Sequence, residues 1–200
     1  ESSKVIKPYF RSKLVVESKK DESPVTIADK KAEEKMRELI MKEFPTHGII
    51  GEEFGAINPQ AEYQWILDPI DGTKSFICGA YTFGTMIGLL KNNKPILGVI
   101  NQPILNEFLI GDNVSAYFND VKVNVRTNVE LNEAVLLSTD HVNIEKYQDI
   151  NKFNNLIHQV KIYRLWGDCY GYLLLATGYA DIMIDPIMNI WDLAALIPII

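Results

Sequence analysis

The sequence predicts an α+β fold with some α/β alternation, its helices packed in layers against sheet. Three observations lead there. A helical pattern of apolar residues follows Thr26, three β-rich runs between Thr82 and Ile110 are separated by Asn and Pro turns, and strand and helix patterns alternate after Val135.

Taken in order, Ser3 to about Leu14 reads as the end of a helix, and Lys19 to Ser23 as a charged, exposed loop. Thr26 and Asp29 form an S/T-x-x-D start signal, a capping box with Asp in the Glu place. The helix that follows sets Ala28, Ala32, Met36, Leu39 and Ile40 on one face, Lys and Glu on the other, and ends before Pro45. Gly48 to Gly51 is a short buried strand with Glu52-Glu53 at its end. Gln64 to Leu67 is a second, with Asp68 to Thr73 at its carboxyl end. Thr82 to Leu90, Ile96 to Asn101 and Glu107 to Ile110 form an antiparallel meander, turning at Asn92 to Pro95 and at Pro103 to Asn106. Val135 to Ser138 is a strand and Ile144 to Ile157 a helix. Lys161 to Leu165 and Ala180 to Ile184 are strands with a helix between them, and a last helix starts near Ile190.

The chain has 200 residues, 47% hydrophobic and 23% charged, an ordinary globular composition. Its net charge of −6 leaves no cationic excess for nucleic acid or an acidic membrane, so neither is an expected partner. No apolar run reaches the roughly 18 residues of a membrane span. Cys78 and Cys169 stand far apart, which implies no disulfide framework and leads to the expectation of a reducing cytoplasm. The start at Glu1 suggests a trimmed N-terminus, and the end in Ile197-Pro198-Ile199-Ile200 suggests a missing C-terminal part.

The chemistry concentrates in Asp68-Pro69-Ile70-Asp71-Gly72-Thr73, where two carboxylates follow an apolar run and precede a Gly-Thr turn. Buried carboxylates need a cation beside them, and bare backbone N–H groups with a hydroxyl suit a phosphate oxygen. Asp29, Glu52 and Asp192 are three more acids next to apolar sequence. Hard oxygen ligands without His or Cys favour Mg²⁺, with Mn²⁺ as the alternative, over Zn²⁺. Two or three such ions about 4 Å apart would clamp a phosphate and activate a water. Each acid has a plainer reading as well: Asp29 as a first-turn helix acid, Asp192 as a helix cap, Asp68 and Asp71 as an Asx-type turn, Glu53 as a solvated neighbour of Glu52. The D-x-x-D-G-T spacing is one residue longer than the D-x-D-x-T of phosphatases that form an aspartyl-phosphate, which favours metal-activated water over a carboxylate nucleophile.

Val25-Thr26-Ile27-Ala28-Asp29, Gly51-Glu52-Glu53, the Asp68 to Thr73 segment and Trp191-Asp192-Leu193-Ala194-Ala195 resemble, in order and spacing, the motifs of the inositol monophosphatase superfamily. The resemblance covers essentially the whole chain. It implies a layered αβαβα sandwich and a Mg²⁺-dependent, often Li⁺-sensitive phosphomonoesterase that acts as a homodimer. It implies one domain over residues 1–200, with a metal and phosphate lobe to about residue 130 and the start of an α/β lobe after it. It further implies that Glu52, Asp68 and the Ile70 carbonyl hold a first ion, that Asp68, Asp71 and Asp192 hold a second, and that Glu52 faces a weaker third. Thr73 with Asp29 would activate the attacking water, and the N–H groups of Gly72 and Thr73 would grip the phosphate. Phe54-Gly55, Lys74-Ser75-Phe76, Arg164 to Tyr172 and Asp185 to Asp192 resemble the histidinol-phosphatase branch.

Asp168 and Asp185 would suit the ammonium and imidazole of histidinol, which a neutral polyol lacks, and Asn189 would touch the imidazole. The plainer readings are that Asp168 caps a helix near Cys169 and that Asn189 ends a turn. The expected activity is hydrolysis of a small phosphorylated substrate, histidinol phosphate to histidinol in histidine biosynthesis. The alternatives are an inositol-1-phosphate or broad sugar-phosphate phosphatase, and a non-catalytic metal-binding or dimerisation module. His47 is expected to be exposed in a turn and His141 to lie in a loop after a strand. Gly84 and Gly88 are expected to serve close packing, and Trp166 and Tyr170 either border the pocket or join the core.

Overall fold

The computed structural model describes residues 1–13, 15–18 and 24–200. Helix α1 (Ser2–Ile6) gives way to a 3-10 turn at Lys7–Tyr9. The expected helix toward Leu14 therefore stops early, where Pro8 removes a backbone donor. Leu14 and the Lys19–Ser23 loop lie outside the described residues. Strands β1 (Val16–Ser18) and β2 (Pro24–Thr26) pair antiparallel. The capping box then starts α2 (Ile27–Glu43): Thr26 Oγ1 accepts the Ala28 N–H at 3.1 Å and Asp29 Oδ2 accepts the Thr26 N–H at 2.8 Å. Ala28, Ala32 and Met36 are buried as the periodicity predicts. So is Glu33, which it put on the outer face, and so is Arg37.

The main sheet contains β3 (Gly48–Gly51), β4 (Gly55–Ile57), β5 (Tyr63–Asp71), β6 (Gly84–Lys91), β7 (Lys94–Gln102), β8 (Glu107–Gly111), β9 (Ala116–Phe118) and β10 (Val121–Val123). Its order is β10-β9-β8-β7-β6-β5-β3-β4, and α3 (Thr73–Ile77) lies between β5 and β6. Strand β5 runs past its expected end at Leu67, through Pro69, to Asp71. This is possible because its pairing with β6 shifts register between Asp68 and Asp71, which spares Pro69 a ladder bond. The two aspartates thus sit on a bulged strand end rather than in a turn. The meander is as predicted. The β9–β10 hairpin was not anticipated; Asn119 and Asp120 at φ 44° and 67° make its turn.

A second, parallel sheet is formed by β11 (Val135–Ser138), β12 (Ile162–Arg164) and β13 (Ile182–Ile184), in the order β12-β11-β13. In place of one helix from Ile144 to Ile157 there are two, α4 (His141–Tyr147) and α5 (Ile150–Ile157). The break comes from Asp149, whose carboxylate accepts the N–H groups of Asn151 and Lys152, both at 3.1 Å, and so restarts the helix. Helices α6 (Asp168–Ala176) and α7 (Ile190–Leu196) complete the chain.

The layers follow from the cores. Ile6, Ala28 and Ala32 pack with Ile70, Phe76 and Phe83 on one face of the large sheet. Met86, Ile100 and Leu109 meet Leu173 and Ala176 of α6 and Ala195 and Leu196 of α7 on the other. Leu136 of the small sheet packs on Ile144 and Phe153 of α4 and α5. The order is helix, sheet, helix, sheet, helix. Glycines let α7 approach: a Cβ on Gly88 would lie 2.7 Å from Ala194 Cβ, and one on Gly98 would lie 1.8 Å from the Ala195 carbonyl oxygen. The same closeness brings Asp192, at the start of α7, over the end of β5.

His47 is half-buried rather than exposed. Its ring stacks between Phe44 and Tyr63, at 4.9 and 5.0 Å, and its Nδ1 accepts the Trp65 indole N–H at 3.1 Å. His141 opens α4 instead of lying in a loop, with Nδ1 3.2 Å from the Tyr163 hydroxyl. Among the described residues no helix is long and apolar enough to cross a membrane.

Candidate active site

Six elements end at one cleft: the carboxyl ends of β5, β11 and β13, the turn after β3, and the amino ends of α6 and α7. The cleft encloses about 350 Å³, and its walls include Glu52, Asp71, Thr73, Asp168, Asp185 and Asp192. Asp68 lies beneath it, 3% exposed. Asp68, Asp71 and Asp192 each offer a carboxylate oxygen, and these atoms lie within 4.8 Å of one another.

Backbone donors orient this set. Asp71 Oδ2 accepts the Cys169 N–H from the first turn of α6. Asp192 Oδ2 accepts the Asn189 N–H at 2.5 Å, so this acid caps α7 with one oxygen and faces its neighbours with the group as a whole. Asp68 Oδ1 is buried and has no hydrogen-bond partner among the described residues. Burial pushes the Asp68 carboxyl well above its ordinary pKa, and the charges of Glu52, Asp71 and Asp192 add to that. Burial does the same to Asp71, helped by Asp168 and Asp192. Asp192 rises to about 6, mainly through burial, against the stabilising Asn189 N–H. An orphaned buried oxygen amid mutually repelling carboxylates is what a divalent cation relieves, and an all-oxygen donor set fits a hard one. The residues present fit such an ion.

Thr73 Oγ1 is 3.0 Å from the Ile70 carbonyl and 3.4 Å from Asp29 Oδ1. Asp29 is 1% exposed, and its other oxygen accepts the Thr26 hydroxyl at 2.6 Å. Burial raises its pKa against the Thr26 hydrogen bonds. Gly72 is left-handed at φ 81°, and a Cβ there would stand 2.8 Å from the Asp168 carboxyl carbon. Only glycine meets both demands.

On the opposite wall Ser75 Oγ donates to Asp168 Oδ2 at 2.6 Å, and Thr82 Oγ1 donates to Ser75 Oγ at 3.0 Å. Thr139 Oγ1 donates to Asp185 Oδ2 at 2.8 Å and accepts the Asp168 N–H at 2.9 Å. Asp185 rises to about 6, mainly through burial, with Thr139 opposing. Burial raises Asp168 too, against Ser75 and the positive Lys74. Asp168 does not cap α6 with its side chain: that N-cap is Gly167, and the Asp168 carboxylate turns to Ser75.

The predicted residues Glu52, Asp71, Gly72, Thr73, Asp168, Asp185 and Asp192 therefore share the cleft, with Asp68, Asp29 and the Ile70 carbonyl under its floor. Asn189 is not brought to the wall; it is exposed at the N-cap of α7. Trp166 is half exposed and off the wall, and Tyr170 packs against the core. Gly84 and Gly88 are packing glycines, as expected; a Cβ on Gly84 would meet Cys169 Sγ at 2.9 Å. Thr139, Tyr172 and Met188 line the cleft without having been singled out. Thr139 had a signal: it directly follows the parallel strand β11, at the carboxyl end where such sheets bind ligands.

Residues 1–200 match the sequence profile described as the inositol monophosphatase family. A chloroplastic bifunctional phosphatase of Arabidopsis thaliana is 43% identical over 203 residues; the match covers 100% of this chain, which spans 58% of that relative's length. A histidinol-phosphatase of Chlorobaculum parvum is 40% identical over 205 residues, covering 100% of this chain and 78% of its own. The solved structure of an inositol monophosphatase from Zymomonas mobilis superposes with a TM-score of 0.86 at 39% identity, over 99% of this chain and 77% of that one.

Proposed function

The chain belongs to the inositol monophosphatase family, and we propose that it is a Mg²⁺-dependent phosphomonoesterase whose preferred substrate is histidinol phosphate. Asp68, Asp71, Asp192, Glu52 and the Ile70 carbonyl would hold the ions. Bound there, Mg²⁺ offsets the charge of the phosphoryl oxygens and acidifies water. Thr73 orients the attacking water with its hydroxyl and passes the water's proton toward Asp29, whose raised pKa suits a proton acceptor. The N–H groups of Gly72 and Thr73 take the phosphate oxygens. The water would attack phosphorus in line; the bond from phosphorus to the ester oxygen breaks, and that oxygen takes the electron pair and a proton from solvent water as the alcohol leaves past Asp168 and Asp185.

The observation that carries the choice of substrate is this wall. Two half-buried carboxylates outside the metal set, each fixed by a hydroxyl, line the same cleft, where the leaving group would lie. A cationic alcohol satisfies them and a neutral polyol does not. The histidinol-phosphatase name at 40% identity supports the same reading. The second reading is inositol-1-phosphate hydrolysis, favoured by the likeness to the Zymomonas mobilis enzyme. We place the enzyme in a reducing cytoplasmic compartment as a homodimer.

The test is phosphate release from histidinol phosphate and from inositol-1-phosphate, with Mg²⁺ and then with EDTA. Faster release from histidinol phosphate, abolished by EDTA, is expected. Preference for the inositol ester contradicts the substrate, and no release from either contradicts the activity.

A further inference from the structure

Helix α2 carries a buried ion pair that the mechanism above does not use. Glu33, one turn after Asp29, is fully buried, and Arg37, one turn later, is 5% exposed. Glu33 Oε1 accepts from Arg37 Nε at 2.8 Å. The same carboxylate accepts two backbone N–H groups of the turn after β3, that of Glu53 at 2.8 Å and that of Phe54 at 3.2 Å. The Arg37 guanidinium reaches onward to donate to the Gly55 carbonyl. On the near side, a Cβ on Gly51 would lie 1.9 Å from Glu33 Oε1, so glycine there is what admits the carboxylate.

The segment from Gly51 to Gly55 is thus tied at three of its positions, Glu53, Phe54 and Gly55, to one ion pair. The residue directly before those ties, and after the close-packed Gly51, is Glu52, which lines the cleft and whose charge acts on Asp68. Removing two charges from water costs about what their attraction returns, so a buried pair of this kind is weak as a source of stability. Its hydrogen bonds instead fix a backbone. The stripe Asp29, Glu33, Arg37 then has one orientation and two uses: its first acid meets Thr73, and its ion pair presents Glu52.

We propose that Glu33 and Arg37 are positioning residues that hold the Gly51–Gly55 turn and thereby set the site's affinity for its divalent cation through Glu52. The proposal rests on the reading of Glu52 as a cation ligand. Groups that orient a metal ligand in this way typically change affinity by about 10- to 100-fold when lost. Glu33→Gln keeps an oxygen for the backbone N–H groups and loses the charge that holds Arg37. Arg37→Lys keeps the charge and loses the fork that reaches Gly55.

The experiment is Mn²⁺ binding, followed by electron paramagnetic resonance on the full-length protein, with thermal melts of the metal-free variants alongside. Glu33→Gln is expected to weaken Mn²⁺ by about 10- to 100-fold, with turnover largely recovered at saturating metal. Arg37→Lys should weaken it less. It carries the test if Glu33→Gln does not fold. The double variant Glu33→Gln/Glu52→Gln should bind no more weakly than Glu52→Gln alone, because both changes act through one carboxylate. Unchanged Mn²⁺ affinity in both folded single variants, or losses that add in the double, would overturn the proposal alone. A wild-type chain that binds no Mn²⁺ would overturn the ligand reading of Glu52 and this proposal with it.

Discussion

The cleft has two acidic walls, and they are held in different ways. On the large-sheet side, Asp71 and Asp192 are fixed by backbone N–H groups, and among the described residues Asp68 Oδ1 has no hydrogen-bond partner. On the small-sheet side, Asp168 and Asp185 are each fixed by a side-chain hydroxyl, from Ser75 and Thr139. Backbone donors come with the fold and survive most side-chain changes. Hydroxyl donors are lost with a single substitution. On the proposed reading, the first wall keeps charges close together for a cation, and the second aims charges at the leaving group of the substrate. The proposed function then assigns the cutting of the ester to the first wall and the choice of ester to the second.

Removing a member of the first wall is expected to have the largest effect. Asp68→Asn should lower kcat by about a thousandfold or more, as the loss of several kcal/mol of charge stabilisation requires. In EDTA the same variant should melt higher than wild type by about 2–4 °C, because it removes a buried carboxyl that without a cation must stay strained or take up a proton. Activity within tenfold of wild type, or a lower melting point in EDTA, would erase the contrast between the walls. A smaller effect is expected from Ser75→Ala. Loss of one hydroxyl to a charged acceptor should reduce kcat/KM for histidinol phosphate by about tenfold and leave Mg²⁺ affinity unchanged. A matching loss on inositol-1-phosphate would show that Ser75 serves the fold rather than the choice of ester.

These residues differ in how visible they were in the sequence. Asp68, Asp71, Thr73 and Asp192 stood out because a carboxylate at the end of an apolar run is costly and rare. The capping box of α2, the meander and the alternation after Val135 were legible for the same kind of reason: each is a local pattern with a local cause. Glu33 and Arg37 were not, since on a helix full of Lys and Glu nothing local distinguishes a buried pair from a solvated one. Their burial is decided by the turn after β3, about 20 residues away. The break between α4 and α5 was missed because Asp149 lies in a polar stretch where a cap looks like any surface acid. Strand β5 was cut short because Pro69 normally ends a strand, and the register shift that excuses it depends on β6.

The smallest expected effect concerns pH. The raised carboxyl values mean that the folded chain without metal keeps protons that the unfolded chain gives up above about pH 4. Stability without metal is then greatest at low pH and falls as the pH rises through about 6, where Asp185 and Asp192 ionise. In EDTA the melting temperature should be about 2–4 °C higher at pH 5 than at pH 8, and added Mg²⁺ should raise it more at pH 8. A flat or opposite profile would mean that neither wall is strained by its charges.

The division of labour between the walls is tested most directly by Asp168→Ala, assayed on histidinol phosphate and on inositol-1-phosphate while Mg²⁺ is titrated. The account predicts a fall of about a hundredfold in kcat/KM on the cationic substrate, little change on the neutral one, and a half-saturating Mg²⁺ shifted only by the loss of the Asp168 charge beside Asp71, far less than the fall in kcat/KM. Equal losses on both substrates, or a Mg²⁺ response weakened as much as kcat/KM, would contradict it.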